Sequence, residues 1–102
     1  MTRKTPEGRF RDEVVADLWN MFPGCYILKN DAQALQGVPD MLILWGTRWA
    51  MLELKASADA SVQPNQAYYV EQLNTMSFAA FIFPENKDEV LNALYDSFTA
   101  GG

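Results

Sequence analysis

The chain contains no histidine. That absence removes Ser-His-Asp and Cys-His nucleophilic catalysis, histidine-based acid–base nuclease chemistry and the usual Cys/His zinc sites. Any reaction must run on carboxylate, lysine, hydroxyl, amide or a bound metal. A single cysteine, Cys25, cannot form an internal disulfide, which fits a reducing compartment. It lies in the strand-like run Gly24-Cys-Tyr-Ile-Leu28, and no histidine exists to activate it, so it reads as a buried structural thiol. No apolar run approaches the roughly 20 residues that cross a bilayer. Met1–Arg9 carries charge without an apolar region behind it, unlike a signal peptide. These features lead us to expect a cytoplasmic protein with no membrane partner. Repeats, low-complexity tracts and a glycine loop for nucleotide phosphates are also missing. Positive charge is scarce, with 8 Lys and Arg against 13 Asp and Glu, a net charge of −5. That balance argues against a non-specific nucleic-acid coat, which is normally strongly basic. It leaves room for an enzyme whose acidic residues are neutralised by metal ions.

What is present suffices for one core. With 102 residues and a 49% hydrophobic fraction, the chain is expected to form a single domain over residues 1–102. Thr5-Pro6-Glu7 has the pattern of a helix start, with a hydroxyl N-cap and proline at the first helical position. That helix is predicted to run to about Met21 or Phe22, before Pro23-Gly24. Phe10, Val14, Leu18 and Met21 form its apolar stripe, widened by Val15 and Phe22. Glu7 falls on the centre of the stripe, whereas Glu13 and Asp17 fall off it. Glu7 therefore has two readings: an acid favoured by the positive helix end, or a carboxylate aligned with the core face that needs a partner or a metal.

Strands are predicted over Cys25–Lys29, Asp40–Trp45 and Trp49–Lys55, with a polar loop at Asn30–Gln36. Gln63-Pro-Asn-Gln66 opens a second helix reaching about Thr75, with an inner stripe of Tyr69 or Val70, Leu73 and Met76. Gln66 lies on that stripe, where a glutamine bonded to backbone is the plain explanation. Phe78–Phe83 reads as a buried strand ended by Pro84. Asn86 and Glu89 mark the start of a last helix lined by Leu91, Leu94 and Phe98. The expected fold is α/β of the α+β kind, ordered α-β-β-β-α-β-α. Its first three strands form an antiparallel meander, and the fourth returns parallel to the third.

The rest is organised around Gly37–Lys55. Gly-Val-Pro-Asp40 leads into Met41–Trp45, a short turn follows, and Trp49–Lys55 alternates so that Trp49, Met51, Glu53 and Lys55 share one face. A hairpin brings Asp40, Glu53 and Lys55 together. Two carboxylates beside one ammonium suit a divalent cation, Mg2+ or Mn2+, and a reacting phosphate. Carboxylate-held metal acidifies water and relieves charge on the phosphorane, and a nearby lysine adds charge stabilisation. The carbonyl of Leu54 is a further candidate ligand. Each residue also has a plain reading: Glu-x-Lys occurs on solvated sheet faces, and Pro-Asp occurs in turns. Their combination one hairpin apart is more specific than either.

Gly37-Val-Pro-Asp40 followed by Glu53-Leu-Lys55 resembles the Pro-Asp…(Asp/Glu)-x-Lys nuclease superfamily, PD-(D/E)XK. The likeness is to its small stand-alone VRR-NUC-like nucleases, found in phages and related to Holliday-junction resolvases. Thr5-Pro-Glu-Gly8 and Gln63-Pro-Asn-Gln66 are similar to the helices that supply that family's first acid and its glutamine. The resemblance implies a restriction-endonuclease-like core in which Glu7, Asp40 and Glu53 bind metal, Lys55 assists the water, and Gln66 orients water or phosphate. Glu13 is the alternative helix-borne acid. It further implies a metal-dependent endonuclease for branched DNA, encoded by a phage or prophage. So short and acidic a chain would gain DNA contact area as a homodimer or bind DNA weakly. Trp19, Trp45, Trp49, Tyr68 and Tyr69 are candidates for that interface, with core packing the competing role. Arg3, Lys4, Arg9, Arg11, Lys29 and Arg48 are candidates for DNA-backbone contact. A non-catalytic DNA- or protein-binding module with the same fold is the competing reading.

Overall fold

Thr5 begins the first helix as its residue type predicts. In the computed structural model, which describes residues 5–100, its hydroxyl accepts a hydrogen bond from the Gly8 N–H at 3.0 Å. With Pro6 at the first helical position, α1 spans Pro6–Met21. The strands β1 (Tyr26–Lys29), β2 (Met41–Trp45) and β3 (Arg48–Leu54) follow. Helix α2 (Pro64–Met76) then leads to β4 (Phe78–Ile82) and, after a 3-10 turn at Pro84–Asn86, to α3 (Lys87–Thr99). This is the predicted order. The sheet runs β1-β2-β3-β4, with the first three strands antiparallel and β4 parallel to β3 through the α2 crossover. Cys25, Asp40 and Lys55 sit just outside the strands in which they were expected. Among the described residues no helix is long and apolar enough to cross a membrane.

Alternation along the strands separates two faces. Ala50, Leu52 and Leu54 pair in register with Ile43 and Met41 on one side and with Phe78, Ala80 and Ile82 on the other. Against them pack Phe10, Val14 and Leu18 of α1 and Val90, Leu91, Leu94 and Phe98 of α3. Burying each large side chain here stabilises the fold by about 1.5–3 kcal/mol. Phe22 joins this core beside Trp45 and Phe98, each ring centroid 5.0 Å from its own. Cys25 is buried, as expected, and burial pushes its thiol pKa up. Lys87 ties α3 to α1, with its ammonium 2.7 Å from Asp17 and 2.8 Å from Glu13. Those hydrogen bonds, Asp17 first, hold the Lys87 pKa above its usual range.

Helix α2 packs on the opposite face, and all 13 of its residues keep partial or full exposure. Tyr69, Val70 and Leu73 are half-buried, as expected for the inner stripe, but Met76 is 69% exposed. As the last helical residue, it borders an apolar groove of about 310 Å³ with Leu35, Val38, Met51, Tyr68 and Leu73, so the stripe does not close over it. Asn86 is the N-cap residue of α3, as expected, but its side chain makes no capping bond to that helix. It turns back to accept from the Phe83 N–H at 2.9 Å and donate to the Phe81 carbonyl at 3.1 Å, closing the end of β4. Of the aromatics considered for an interface, Trp45 contributes to the core margin, while Trp19 and Tyr68 are 58% and 56% exposed.

Gly37 joins the loop before β2 to α2. Its φ is +94°, and a Cβ built on it would lie 2.7 Å from Asn65 Cγ and 2.9 Å from Asn65 Cβ. Both the conformation and the close approach require glycine. Gly37→Ala is expected to cost about 1–2 kcal/mol, lowering the thermal midpoint by about 4–8 °C per kcal/mol for a domain of this size. Differential scanning calorimetry checks it, and an unchanged midpoint would show that the loop relaxes freely.

Candidate active site

The β2–β3 register dictates which side chains meet. Met41 pairs with Leu52, so one step further Asp40 comes opposite Glu53. Pro39, fully buried, gives its carbonyl to Asn30 Nδ2 at 2.8 Å, while the Asn30 N–H donates to the Asp40 carbonyl at 2.9 Å. These bonds fix Asp40 at the mouth of β2. The two acids are then cross-linked through backbone. The Asp40 N–H donates to Glu53 Oε1 at 3.2 Å, and the Leu54 N–H donates to Asp40 Oδ1 at 3.3 Å. Leu54 thus stands between Glu53 and Lys55 with its amide engaged on Asp40.

Lys55 and Gln66 complete the cluster. The Lys55 N–H is held by the Ile82 carbonyl at 2.9 Å. Its Nζ donates to Gln66 Oε1 at 2.9 Å and to the Ser61 carbonyl at 3.0 Å, and lies 4.0 Å from Glu53 Oε2. Gln66 Nε2 donates to Glu53 Oε2 at 3.2 Å, and Gln66 Oε1 also accepts from the Gln63 N–H at 3.0 Å. Gln66 is thus bonded to backbone at the start of α2, the plain reading, and its amide also reaches the acid pair.

Glu53 is 8% exposed, and its pKa is pushed up from 4.5 to about 7. Burial is the largest cause and the Asp40 charge the next; Glu7 adds a small push, while Lys55 and the Asp40 N–H oppose. A buried carboxylate beside a second carboxylate is poorly compensated without added positive charge. The available donors are oxygens, the set that suits a hard divalent cation such as Mg2+ or Mn2+.

Other expected site residues divide. Glu7 is exposed in the first turn of α1, near enough for Glu53 to sense its charge. Among the described residues no three His, Cys, Asp or Glu side chains form a metal-sized cluster, so Asp40 and Glu53 stand as a pair without it. The alternative, Glu13, is taken by Lys87. Arg11, a candidate for DNA-backbone contact, has its Nη2 2.5 Å from Asp40 Oδ2, an ion pair that spacing alone does not reveal. The available signal was its i+4 relation to Glu7 on one helix face. Lys29 is exposed and lines an open cavity of about 480 Å³ with Asn30, Asp31, Gln33 and Asp40. Arg9 is exposed on α1. Arg48 donates to the Ser97 and Ala100 carbonyls at the end of α3. At about 3.3 Å per residue it stands roughly 17 Å along β3 from Glu53, at the far end of the sheet. Arg3 and Lys4 lie outside the described residues.

The raised Glu53 pKa sets a sign for stability. Below about pH 4.5 the carboxyl is protonated both folded and unfolded, so it contributes no pH dependence. Between about 4.5 and 7 the unfolded chain ionises first, and stability falls as pH rises; above about 7 the loss is complete. A displacement of this size corresponds to about 3 kcal/mol. Urea unfolding of the metal-free protein across this window should show that loss in the wild type but not in Glu53→Gln. Parallel pH profiles for the two proteins would contradict it.

No family model and no curated protein sequence matches this chain. Solved structures do. A VRR_NUC domain superposes with a TM-score of 0.71 at 18% identity, over 87% of this chain and 97% of the other. A VRR_NUC domain protein gives 0.60 at 21% identity, over 98% and 93%. A weaker likeness, 0.48 at 13% identity over 74% and 67%, is to the Archaeoglobus fulgidus Holliday junction resolvase Hjc. The four-stranded mixed sheet with its three helices is thus the fold of VRR_NUC domains.

Proposed function

We propose that residues 1–102 form one metal-dependent DNA endonuclease domain that hydrolyses phosphodiesters, acting as a homodimer on branched DNA. The observation that carries this reading is the convergence on Glu53. Its buried carboxylate takes bonds from the Asp40 N–H and Gln66 Nε2, with Lys55 Nζ 4.0 Å away. Asp40 and Glu53 would hold Mg2+ or Mn2+, with the Leu54 carbonyl and Glu7 as added ligands. The ion, when bound, supplies charge relief at the phosphate and a more acidic water. Lys55, aimed by Ser61 and Gln66, keeps its ammonium beside that centre to offset charge on the attacked phosphate. Gln66, bonded to both Lys55 and Glu53, orients water or a phosphate oxygen. Arg9, Arg11 and Lys29 are the DNA-backbone contacts nearest the acid pair by position in the chain and cavity. Arg48, at the far end of the sheet, is a more distant candidate, and Arg3 and Lys4 are further candidates for backbone contact. The fold's VRR_NUC likeness supports this reading. On the same proposal the chain is a phage or prophage protein working in the host cytoplasm.

A non-catalytic DNA- or protein-binding module is the second reading. The absence of a third acid from the Asp40–Glu53 pair, among the described residues, favours it. Cleavage of linear and four-way DNA with Mg2+ or Mn2+ separates the two. Asp40→Ala and Lys55→Ala are each expected to lower the rate by at least about 100-fold while leaving the far-ultraviolet circular dichroism unchanged. Variants that cut as fast as wild type would place the chemistry elsewhere. A wild type that neither cuts nor binds manganese calorimetrically would leave the module.

A further inference from the structure

Four donors serve the carboxylate oxygens of Asp40 and Glu53, and they are not equivalent. Two are backbone N–H groups, of Asp40 and Leu54, fixed by the hairpin. The third is the neutral amide of Gln66, anchored at the start of α2 through the Gln63 N–H. The fourth is the Arg11 guanidinium, 2.5 Å from Asp40 Oδ2, at the end of a long side chain that is 29% exposed. Lys55, the other nearby cation, is engaged by Ser61 and Gln66 and stands 4.0 Å from Glu53. Among the described residues Arg11 is therefore the cation that donates directly to the acid pair, and it does so through its side chain alone.

We propose that Arg11 is the stand-in cation of this site, neutralising Asp40 in the metal-free protein and competing with a divalent ion for the same carboxylate. This rests on the metal-binding reading above and adds to it a determinant of affinity. The logic is electrostatic. A partly buried carboxylate pair is stabilised by any adjacent cation, and a guanidinium fork matches carboxylate geometry. An oxygen bonded at 2.5 Å offers a metal less charge and less room than a free one. Arg11 is a positioning residue in this role, acting through Asp40. It offsets the charge of Asp40 in the metal-free protein at the expense of metal affinity.

The test is calorimetric titration of the metal-free protein with manganese at about pH 8, above the Glu53 transition. Arg11→Gln and Arg11→Ala are expected to bind manganese about three- to tenfold tighter than wild type, equivalent to about 1 kcal/mol for a partly exposed ion pair. Arg11→Lys, which keeps charge but not the fork, should fall between. Arg9→Gln removes the same charge two residues away and should change affinity less. In an Asp40→Asn background the Arg11 effect should vanish, because the pair no longer exists. A readout independent of these variants is the Arg11 Nε–Hε resonance of the wild type, which should move with the Mg2+ binding isotherm. Binding that requires Asp40 yet is equal or weaker in Arg11→Gln, or an Arg9→Gln gain as large, or a motionless Arg11 resonance, overturns this inference alone. No manganese binding by the wild type would overturn the nuclease reading and this inference with it.

Discussion

The site depends on a reciprocal bond between two strands. Asp40 gives its amide to Glu53, and Leu54, next to Glu53, gives its amide back to Asp40. Each acid is held by the other acid's strand, so neither can move without shifting β2 against β3. The register is defended by burial far larger than these two bonds. Ala50, Leu52, Leu54, Met41 and Ile43 all lie on the core face with at most 1% exposure. A slip of one residue would turn Glu53 into that core and bring Leu52 or Leu54 to the outer face. Hydrophobic burial thus fixes acid geometry that the acids themselves would oppose.

They would oppose it because the arrangement is electrostatically costly. Burial and the Asp40 charge both disfavour ionised Glu53. Typical net hydrogen bonds contribute about 1 kcal/mol each, somewhat more with a charged partner, so the donors around Glu53 offset the cost only in part. The cations are placed outside the hairpin, where they can be repositioned: Arg11 arrives from α1, and Lys55 is steered by the first turn of α2. A fold stabilised on one side of the sheet tolerates an unfavourable cluster at its end, a common arrangement where chemistry is required.

How far the site could be read from sequence follows from the range of the interactions. The hairpin, its two faces and the inward Gln66 were legible because periods of two and 3.6 residues act locally. The same periodicity placed Phe10, Val14 and Leu18 in the core correctly. The Arg11–Asp40 pair is not legible in the sequence because the partners are 29 residues apart, and the approach of α1 to the end of β2 depends on tertiary packing. Met76 kept the right helical phase yet stayed exposed, since phase cannot tell where the covering surface stops. Asn86 had the composition of a helix cap but found nearer carbonyl and amide partners at the end of β4. The bonds from Arg48 to the carbonyls at the end of α3 are likewise long-range, 49 and 52 residues apart, and leave no local trace in the sequence.

The two sides of the sheet also differ in firmness, and the site straddles that boundary. Asp40 and Glu53 belong to strands backed by the α1–α3 core. Lys55 and Gln66 depend on α2, which is laid over the sheet by half-buried residues alone and flanks an open apolar groove. Segments with few fully buried contacts open locally at lower free energy than the core. The acid pair is consequently the fixed reference of the site, and its amide and ammonium partners are the adjustable part. Asn65 joins those partners to the hairpin, since its side chain packs where a Cβ on Gly37 would sit and donates to the Gln36 carbonyl at 3.3 Å. The loop entering β2 is therefore tied to the start of α2 through Asn65, next in the chain to Gln66.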